Sequence, residues 1–334
     1  MFKPDAIFYE ENIKEYELGR VLLARYQNQK IPMTTIENHN NIEEMRKKEN
    51  KEFPQMKKNL IIATRKTHKY QENHKVSNYL VPYTSSGCVA MCMYCYLVCN
   101  YNKCAYLRLF VNREYMLDKL KRKANSADKD LVFEIGSNSD LILENTITGN
   151  LEWTIENFKD NEKGKITFPT KFDMVEPILD LDHRGKVIVR MSLNPAEIIN
   201  KVEFGTSRLE NRIEAINKLV EAGYPVGILI APIILVDNWK VLYENLLKQM
   251  VTMLSEKAKK TVFFELIFMT YSYVHNAINH EAFPNAIELY SREQMTGRGR
   301  GKYAYKPAIK EEARQYMLEL MHQYFPYNEI KYIV

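Results

Sequence analysis

The sequence has no long apolar run and no recognisable leader. Among its 334 residues the longest apolar stretch is Val226–Val236, and its flanks are polar. A membrane-spanning helix needs about 20 apolar residues, so this stretch is too short to span a bilayer. The first residues, Met1–Asp5, lack the apolar region of a signal peptide. The chain also has no internal repeat and no low-complexity tract, which excludes repeat architectures.

Cysteine is scarce and unevenly placed. The chain has five cysteines, and four of them lie within Cys88–Cys99, which does not fit a secreted disulfide framework. We therefore expect a protein of the reducing cytoplasm. A hydrophobic content of 46% is typical of a globular protein, and 334 residues allow one large domain or two. The formal net charge of +5 permits binding to nucleic acid without demonstrating it.

The most informative segment is the loop Gly87–Tyr96, which contains Cys88, Cys92 and Cys95 in the spacing C-x3-C-x2-C. Three thiolates on one short loop can hold three irons of a [4Fe–4S] cluster and leave the fourth iron without a protein ligand. That open iron can chelate the amino and carboxylate groups of S-adenosylmethionine (SAM). One electron from the cluster then cleaves the sulfonium and releases a 5′-deoxyadenosyl radical.

Two other interpretations of these cysteines stay open. One is a zinc knuckle, although zinc sites usually combine paired C-x2-4-C units into four closed ligands. The other is a chance spacing of free thiols. The aromatic residue directly before the last cysteine, Tyr94, favours the cluster because its ring can border the adenine of SAM.

From Tyr79 onward, short apolar segments alternate with amphipathic ones, which predicts buried parallel strands connected by helices. The predicted strands are Leu80–Tyr83, Leu107–Val111, Leu131–Ile135, Ile166–Pro169, Val187–Ser192, Val226–Ala231 and Val262–Ile267. The predicted helices are Glu114–Arg122, Leu151–Lys159, Met174–Leu181, Leu209–Ala222 and Trp239–Ser255. Such a βα repeat places its site at the carboxyl ends of the strands. We predict an α/β fold with a partial (β/α)6 barrel, whose open side admits a large substrate.

Three parts are predicted along the chain. Residues 1–78 form an N-terminal α/β extension, residues 79–268 the partial barrel, and residues 269–334 a C-terminal extension. The N-terminal part has a predicted helix over Ile13–Gln27 and predicted strands over Ile31–Ile36 and Leu60–Thr64. The C-terminal part closes with a predicted helix over Pro307–Tyr324 and an edge strand over Ile330–Val334.

Two basic stretches carry aromatic residues and are candidates for contact with nucleic acid. The first is Arg65–Tyr70, followed by His74 and Lys75, for which a solvated basic face is an equally good interpretation. The second is a predicted hairpin or loop with glycines between its basic residues; it contains Arg298, Arg300, Lys302, Tyr303 and Tyr305. The alternative there is a flexible solvated loop. The lone His275 is expected to be a hydrogen-bonded core residue.

Further segments form a specific combination with the cysteine loop. They are Pro82-Tyr83, Leu107–Asn112, Phe133-Glu134, Ser139-Asp140, Thr170–Phe172, Arg190–Asn194, Gly205–Ser207, Arg212–Ala215, Ala222–Gly227, Ala231–Ile233 and Gly301–Tyr305. Over roughly residues 60–310, the sequence resembles the radical SAM superfamily and, within it, the spore photoproduct lyase family. The cysteine motif alone is shared across the superfamily, so the later segments carry the narrower resemblance.

This resemblance implies a radical SAM barrel and a DNA repair enzyme. The family reverses a thymine dimer formed by ultraviolet light, 5-thyminyl-5,6-dihydrothymine, by means of a 5′-deoxyadenosyl radical. The implied cofactors are a [4Fe–4S] cluster and SAM, and the implied partners are damaged DNA and a reduced flavodoxin or ferredoxin-type electron donor, with no membrane.

The resemblance also implies residue roles. Tyr94 would flank the adenine, and Ser139, Lys171 and Ser192 would contact SAM, since a lysine or a hydroxyl can bind its carboxylate or its ribose. Each also has an ordinary structural interpretation as a turn, surface or loop residue. Tyr96 would relay a hydrogen atom back towards SAM.

One residue departs from the family pattern. The family's hydrogen donor is a cysteine in the loop after the Phe133-Glu134 strand, where this chain has Ser137. A serine O–H bond is too strong to quench a carbon radical efficiently. Cys99 and Tyr96 are therefore the candidate donors, with a structural thiol or an auxiliary ligand as the alternative role of Cys99. Cys104 is expected to be a buried thiol.

Two other functional classes stay open from the sequence. One is a radical SAM enzyme of the same architecture that acts on another nucleic-acid or peptide substrate, which the Ser137 departure favours. The other is a non-enzymatic zinc protein that binds nucleic acid.

Overall fold

The computed structural model describes residues 2–334. Its strands are β1 (Ala6–Glu10), β2 (Met33–Ile36), β3 (Asn59–Ala63), β4 (Gln71–Glu72), β5 (Tyr79–Leu80), β6 (Ser85–Ser86), β7 (Met91–Cys92), β8 (Leu107–Phe110), β9 (Val132–Glu134), β10 (Lys165–Thr170), β11 (Val187–Leu193), β12 (Glu203–Phe204), β13 (Val226–Ile233), β14 (Phe263–Phe268), β15 (Thr270–Ser272), β16 (Met295–Gly297), β17 (Lys302–Tyr305) and β18 (Ile330–Ile333).

The α-helices lie between these strands. They are α1 (Glu17–Asn28), α2 (Glu43–Lys47), α3 (Phe53–Met56), α4 (Tyr96–Tyr101), α5 (Arg113–Asn125), α6 (Leu141–Thr148), α7 (Asn150–Phe158), α8 (Glu176–Leu179), α9 (Ala196–Val202), α10 (Leu209–Glu221), α11 (Trp239–Met253), α12 (Glu256–Thr261), α13 (Tyr273–Ala282) and α14 (Pro307–Tyr324).

The larger sheet is the curled half-barrel. Its strand order is β18-β14-β13-β11-β10-β9-β5-β4, and every neighbouring pair is parallel except β4 with β5. Its six central strands, from β5 to β14, follow one another in chain order with helices between most of them. The predicted partial (β/α)6 barrel is thereby confirmed. Such strands are apolar on both faces because helices cover the outer face and the barrel interior lies on the other.

The second sheet has the order β2-β1-β3-β8-β6 and is parallel except for β6. The predicted strand Leu107–Val111 belongs here as β8, paired with β3, and its assignment to the barrel was wrong. A fully buried parallel strand has the same apolar pattern in either sheet, so the sequence alone could not identify its partner. This sheet takes strands from both sides of residue 78.

The C-terminal part is more regular than its sequence indicated. The strands β15, β17 and β16 form a small antiparallel sheet, and the glycine-containing turn between β16 and β17 gives the predicted basic hairpin. The segment before it forms β15 and α13, which the sequence did not predict. The predicted helix over Pro307–Tyr324 is confirmed as α14, and β18 lies at an edge of the half-barrel sheet as predicted. Within residues 2–334, no helix is both long enough and apolar enough to span a bilayer.

Candidate active site

The three cysteines of the loop Gly87–Tyr96 lie on different elements. Cys88 follows β6, Cys92 ends β7, and Cys95 directly precedes α4. The strand β7 pairs with β12, so that Cys92 lies opposite Glu203. All three cysteines line the same cavity. Burial raises the pKa of the Cys88 thiol to about 12, so iron must displace its proton when it binds.

A glycine permits the tight entry into this loop. Gly87 has φ +77°, and a Cβ atom there would lie 1.8 Å from the carbonyl oxygen of Tyr106. Every other residue would clash with the backbone and would be strained in this left-handed conformation. The loop is therefore pressed against the chain segment that leads into β8.

Side chains from α13 hold the other end of the loop. Asn279 donates to the carbonyl oxygen of Met93 at 2.8 Å, and His275 Nε2 donates to that of Cys95 at 2.9 Å. Ser272 Oγ lies 3.0 Å from His275 Nδ1. His275 is thus a buried, hydrogen-bonded residue, as predicted. Its contact with the cysteine loop could not be predicted, since the two segments are 180 residues apart.

A cavity of about 300 Å³ lies at the carboxyl ends of the half-barrel strands. Besides the three cysteines it is lined by Tyr94, Tyr96, Ser137, Ser139, Asp140, Lys171, Ser192, Thr206 and Ala231, together with apolar residues. Every residue that the resemblance assigned to SAM therefore borders one space. Ligand sites at the carboxyl ends of barrel strands are the rule for this kind of fold.

The ammonium group of Lys171 is the charged centre of the cavity wall. Its Nζ lies 2.5 Å from Ser192 Oγ, 3.0 Å from the carbonyl oxygen of Ala231 and 3.2 Å from Glu203 Oε1. It also lies 5.5 Å from the ring centroid of Tyr94, whose hydroxyl donates to the same Glu203 oxygen. These contacts bring Lys171, Ser192 and Tyr94 into one network.

Glu203 is a residue that the sequence analysis missed. Its carboxylate also accepts from Arg212 Nη2 at 2.7 Å and from Asn194 Nδ2 at 3.1 Å. Burial raises the pKa of Glu203, but the charges of Lys171 and Arg212 and the donated hydrogen bonds outweigh it and lower the pKa to about 2. Glu203 therefore stays ionised and fixes Lys171. The sequence did hold one clue to Glu203, which lies two residues before Gly205–Ser207, a segment that carries the family resemblance.

Ser139 leaves an unused hydrogen-bonding group in the cavity wall. Its Oγ is buried and has no hydrogen-bond partner among residues 2–334. Buried hydroxyls are normally satisfied, so this one is available to a ligand. The neighbouring Asp140 accepts from Lys171 N at 2.9 Å and from Thr170 Oγ1 at 2.8 Å, which ties the Ser139 loop to the Lys171 loop. A free hydroxyl, a cation, an aromatic ring and three thiols fit the groups of SAM beside a [4Fe–4S] cluster.

The candidate hydrogen donors occupy different places. Tyr96 borders the cavity with 51% of its surface exposed, and Ser137 also lines it. Cys99 is not among the residues that line the cavity. Its Sγ lies 3.5 Å from Ser272 Oγ and 3.9 Å from His275 Nε2, and these hydrogen bonds lower the pKa of the Cys99 thiol. Since residues three apart lie on one helical face, Cys99 is one turn behind Tyr96 on α4.

The basic hairpin presents only part of the predicted contact set. Arg298, Arg300 and Lys302 are exposed and Tyr303 is half-buried, but Tyr305 is buried. The hydroxyl of Tyr305 accepts from Leu235 N at 2.9 Å. The assignment of Tyr305 to a DNA surface was therefore wrong, because successive residues of β17 face opposite sides and Tyr305 lies on the side that faces inward.

The first basic stretch is partly structural. Arg65 donates to the carbonyl oxygens of Tyr83 and Ser85 at 2.6 and 3.1 Å, and its guanidinium lies 3.9 Å from the ring centroid of Phe110. Its charge is therefore used inside the fold. The segment Arg65–Tyr70 has three side chains with a permanent positive charge. Two of them, Lys66 and Lys69, are exposed.

The fold and the site define a radical SAM enzyme, with a half-barrel sheet and a cysteine loop bordering a cavity at its strand ends. Comparison with known proteins narrows this class. The family model described as "SPL: Spore photoproduct lyase" matches residues 2–334. The chain belongs to the spore photoproduct lyase family, whose members are radical SAM lyases that repair DNA with a [4Fe–4S] cluster and SAM.

Similar proteins cover almost the whole chain. Spore photoproduct lyase of Bacillus subtilis (strain 168) is 31% identical over 337 residues, which cover 99% of this chain and 98% of that protein. The enzyme of Clostridium acetobutylicum is 30% identical, with 98% of each chain covered. The assignment to this family decides against the non-enzymatic zinc protein.

Solved structures agree with this assignment. A double mutant of spore photoproduct lyase with bound AdoMet (SAM) and dinucleoside spore photoproduct has a TM-score of 0.93 and 26% identity, covering 100% of this chain and 99% of that chain. Spore photoproduct lyase complexed with dinucleoside spore photoproduct has a TM-score of 0.92 with the same identity and coverage.

Proposed function

We propose that this chain repairs 5-thyminyl-5,6-dihydrothymine in DNA, with Cys88, Cys92 and Cys95 as the protein ligands of its cluster. The observation that carries the proposal is the convergence of these three cysteines with Lys171, Ser192 and Ser139 on one cavity. Cluster and SAM, when bound, supply a one-electron cleavage that yields a radical able to abstract a hydrogen atom. The residues of the chain bind and orient these groups and exclude water.

Each binding residue has a distinct role in this proposal. Lys171 binds the carboxylate of SAM. Glu203 holds the ammonium group of Lys171 in place, with 3.2 Å between Glu203 Oε1 and Lys171 Nζ. Ser139 offers its unpaired hydroxyl to the ligand. Tyr94 borders the adenine, with its ring fixed by the hydrogen bond from its hydroxyl to Glu203. A charged group held by buried partners loses little freedom when the ligand binds, which favours affinity.

In this proposal Tyr96 gives its phenolic hydrogen atom to the product radical, and 5′-deoxyadenosine, which carries the hydrogen atom abstracted from the lesion, would return one to the tyrosyl radical. Cys99 is the second, more distant candidate donor. Tyr96 borders the cavity with about half of its surface exposed, and its phenol keeps its O–H group at neutral pH. Cys99 lies one helical turn further away. Ser137 cannot serve as donor because its O–H bond is too strong.

Damaged DNA approaches the exposed side chains Arg298, Arg300 and Lys302 of the hairpin. Cations and a glycine-rich turn can follow a phosphate backbone closely while the lesion enters the cavity. A reduced flavodoxin or ferredoxin-type protein supplies the electron, and the chain works in a reducing cytoplasm, since thiolate-bound iron requires one.

The experiment is repair of a synthetic dinucleotide lesion by the anaerobically reconstituted protein with SAM and a reductant. We expect conversion to thymine products. Ser137→Cys restores a thiol at the position of the family donor and should give fewer by-products, whereas the matched Ser137→Ala variant should behave like the unchanged chain.

A protein that is loaded with iron and cleaves SAM but leaves the lesion intact would refute the substrate. That outcome would favour the second candidate, a radical SAM enzyme of the same architecture with another nucleic-acid or peptide substrate. The observation in favour of that candidate is Ser137.

A further inference from the structure

Lys57 is a buried lysine directly behind the cysteine loop. It lies between α3 and β3, and only 2% of its surface is exposed. Its Nζ donates to the carbonyl oxygen of Cys88 at 2.9 Å and to that of Ala105 at 2.7 Å, and it lies 5.1 Å from the ring centroid of Phe53. The ammonium group thus joins the first cysteine of the loop to the segment that enters β8.

No carboxylate among residues 2–334 forms an ion pair with Lys57. Burial lowers the pKa of Lys57, whereas the nearby Cys95, Cys88 and Cys92 act in the opposite direction and favour its charged form. Carbonyl oxygens satisfy its hydrogen bonds but supply no opposite charge. A buried, unpaired ammonium group is costly, so this position favours a nearby anion.

A second buried cation lies beside the first. Arg108 is 3% exposed and donates to carbonyl oxygens, those of His39 at 3.2 Å and Cys104 at 3.0 Å. Its guanidinium lies 4.9 and 4.4 Å from the ring centroids of Tyr101 and Tyr106. Its hydrogen bonds within the described chain go to backbone oxygens, and its charge acts on Lys57. Lys57, just before β3, and Arg108, in β8, therefore place two buried basic side chains behind a loop of three cysteines.

We propose that Lys57, supported by Arg108, is a positioning residue that fixes the first cluster cysteine and balances the negative charge of the cluster. A [4Fe–4S] core held by three thiolates is a net anion, and its negative charge grows on reduction. A fixed cation behind the loop that carries the three thiolates would stabilise the reduced form more than the oxidised form and so raise the reduction potential. Lys57 thereby makes the electron transfer to the cluster easier.

The inference rests on the assignment of the three cysteines as cluster ligands. The test compares Lys57→Met and Lys57→Gln, which lose the charge, with Lys57→Arg, which keeps it. The neighbouring Lys58 is exposed and pairs with Asp5 at 3.8 Å, so Lys58→Met is the matched control. Each protein is reconstituted anaerobically; iron and sulfide are counted, and the midpoint potential is measured by EPR-monitored titration without SAM or DNA.

We expect a more negative midpoint potential in both neutral variants, and faster loss of the cluster in air. Lys57→Arg and Lys58→Met should stay close to the unchanged chain. Neutral variants that keep the cluster at the original potential would overturn the inference. If circular dichroism shows that neither neutral Lys57 variant folds, Arg108→Gln tests the same charge effect with the same two outcomes. A parent chain that binds no iron would refute the cysteine ligands instead, so the two failures are distinguishable.

Discussion

The imidazole Nε2 of His275 donates a hydrogen bond to the carbonyl oxygen of Cys95 at 2.9 Å. His275 lies in α13, which directly follows β15, and β15 pairs with the basic hairpin strand β17. The same part of the chain therefore contacts the third cysteine and presents the exposed arginines. If damaged DNA contacts these arginines as proposed, this continuous regular structure would fix the position of the DNA relative to the cysteine loop.

Replacement of Lys171 by alanine should weaken binding of SAM without loss of iron. Hydrogen bonds to charged groups contribute about 1.5–3 kcal/mol, so we expect the dissociation constant to rise about tenfold to a hundredfold. Equilibrium binding to the reconstituted protein measures it. Lys165 is exposed at the start of β10, the strand that Lys171 directly follows, and Lys165→Ala is the control. Equal affinity in both variants would remove Lys171 from the SAM site.

The two candidate hydrogen donors should differ in their effect on product. Tyr96→Phe removes the O–H group that borders the cavity, so repair should fall steeply and by-products should rise. Cys99→Ala should keep more repair activity than Tyr96→Phe, with a smaller rise in by-products. Chromatography of the dinucleotide products checks both. A Cys99→Ala variant that repairs the lesion as cleanly as the unchanged chain would exclude Cys99 from the relay.

The exposed arginines of the hairpin should determine part of the salt dependence of DNA binding. Each phosphate contact contributes about 0.9 to the slope of log affinity against log salt on duplex DNA, so Arg298→Ala with Arg300→Ala should reduce the slope by about 2. Binding titrations at several salt concentrations measure it. The control is Lys257→Ala with Lys260→Ala on α12, at the opposite end of the half-barrel strands. An unchanged slope in the arginine variant would place the DNA elsewhere.

Glu10, the last residue of β1, should give the second sheet, β2-β1-β3-β8-β6, a pH-dependent stability. Its carboxylate accepts from His39 Nδ1 at 2.8 Å, His39 N at 3.1 Å and Thr64 N at 3.2 Å. Burial raises its pKa, but these hydrogen bonds outweigh burial and lower the pKa below the ordinary 4.5. The unfolded chain therefore binds this proton first as the pH falls. The resulting stability is present above about pH 4.5 and is lost below it.

The variant Glu10→Gln should lower the free energy of unfolding by about 1–3 kcal/mol at pH 7, because buried donors lose a charged acceptor. The difference from the unchanged chain should shrink as the pH falls below 4.5. Denaturant unfolding of the apoprotein at several pH values measures it, with the exposed Glu15→Gln as control. A difference that is constant with pH would show that the ionised carboxylate is not responsible.

The sequence predicted the features that depend on local pattern. The cysteine spacing, the six central half-barrel strands and the closing helix α14 are all visible as periodicity or spacing along the chain. The sheet to which Leu107–Phe110 belongs was not predictable, because an apolar strand does not specify its partner. Tyr305 was misassigned because composition does not say which face of a strand points inward.

The contacts that organise the site could not be predicted from the sequence either. Glu203 reaches Lys171 across 32 residues, and His275 reaches Cys95 across 180. Such pairs become neighbours only once the sheet order is fixed. The candidate SAM-contact residues were named from family resemblance, and all of them border one cavity.

The most direct test of the cysteine ligands is the iron content of the purified chain together with its formation of 5′-deoxyadenosine, both under strict exclusion of oxygen. We predict a brown protein with a broad visible absorbance that cleaves SAM when reduced. We also predict that Cys88→Ala, Cys92→Ala and Cys95→Ala each lose both properties, whereas Cys104→Ala keeps them. A chain that binds no iron, or that leaves SAM intact when reduced, would contradict this assignment.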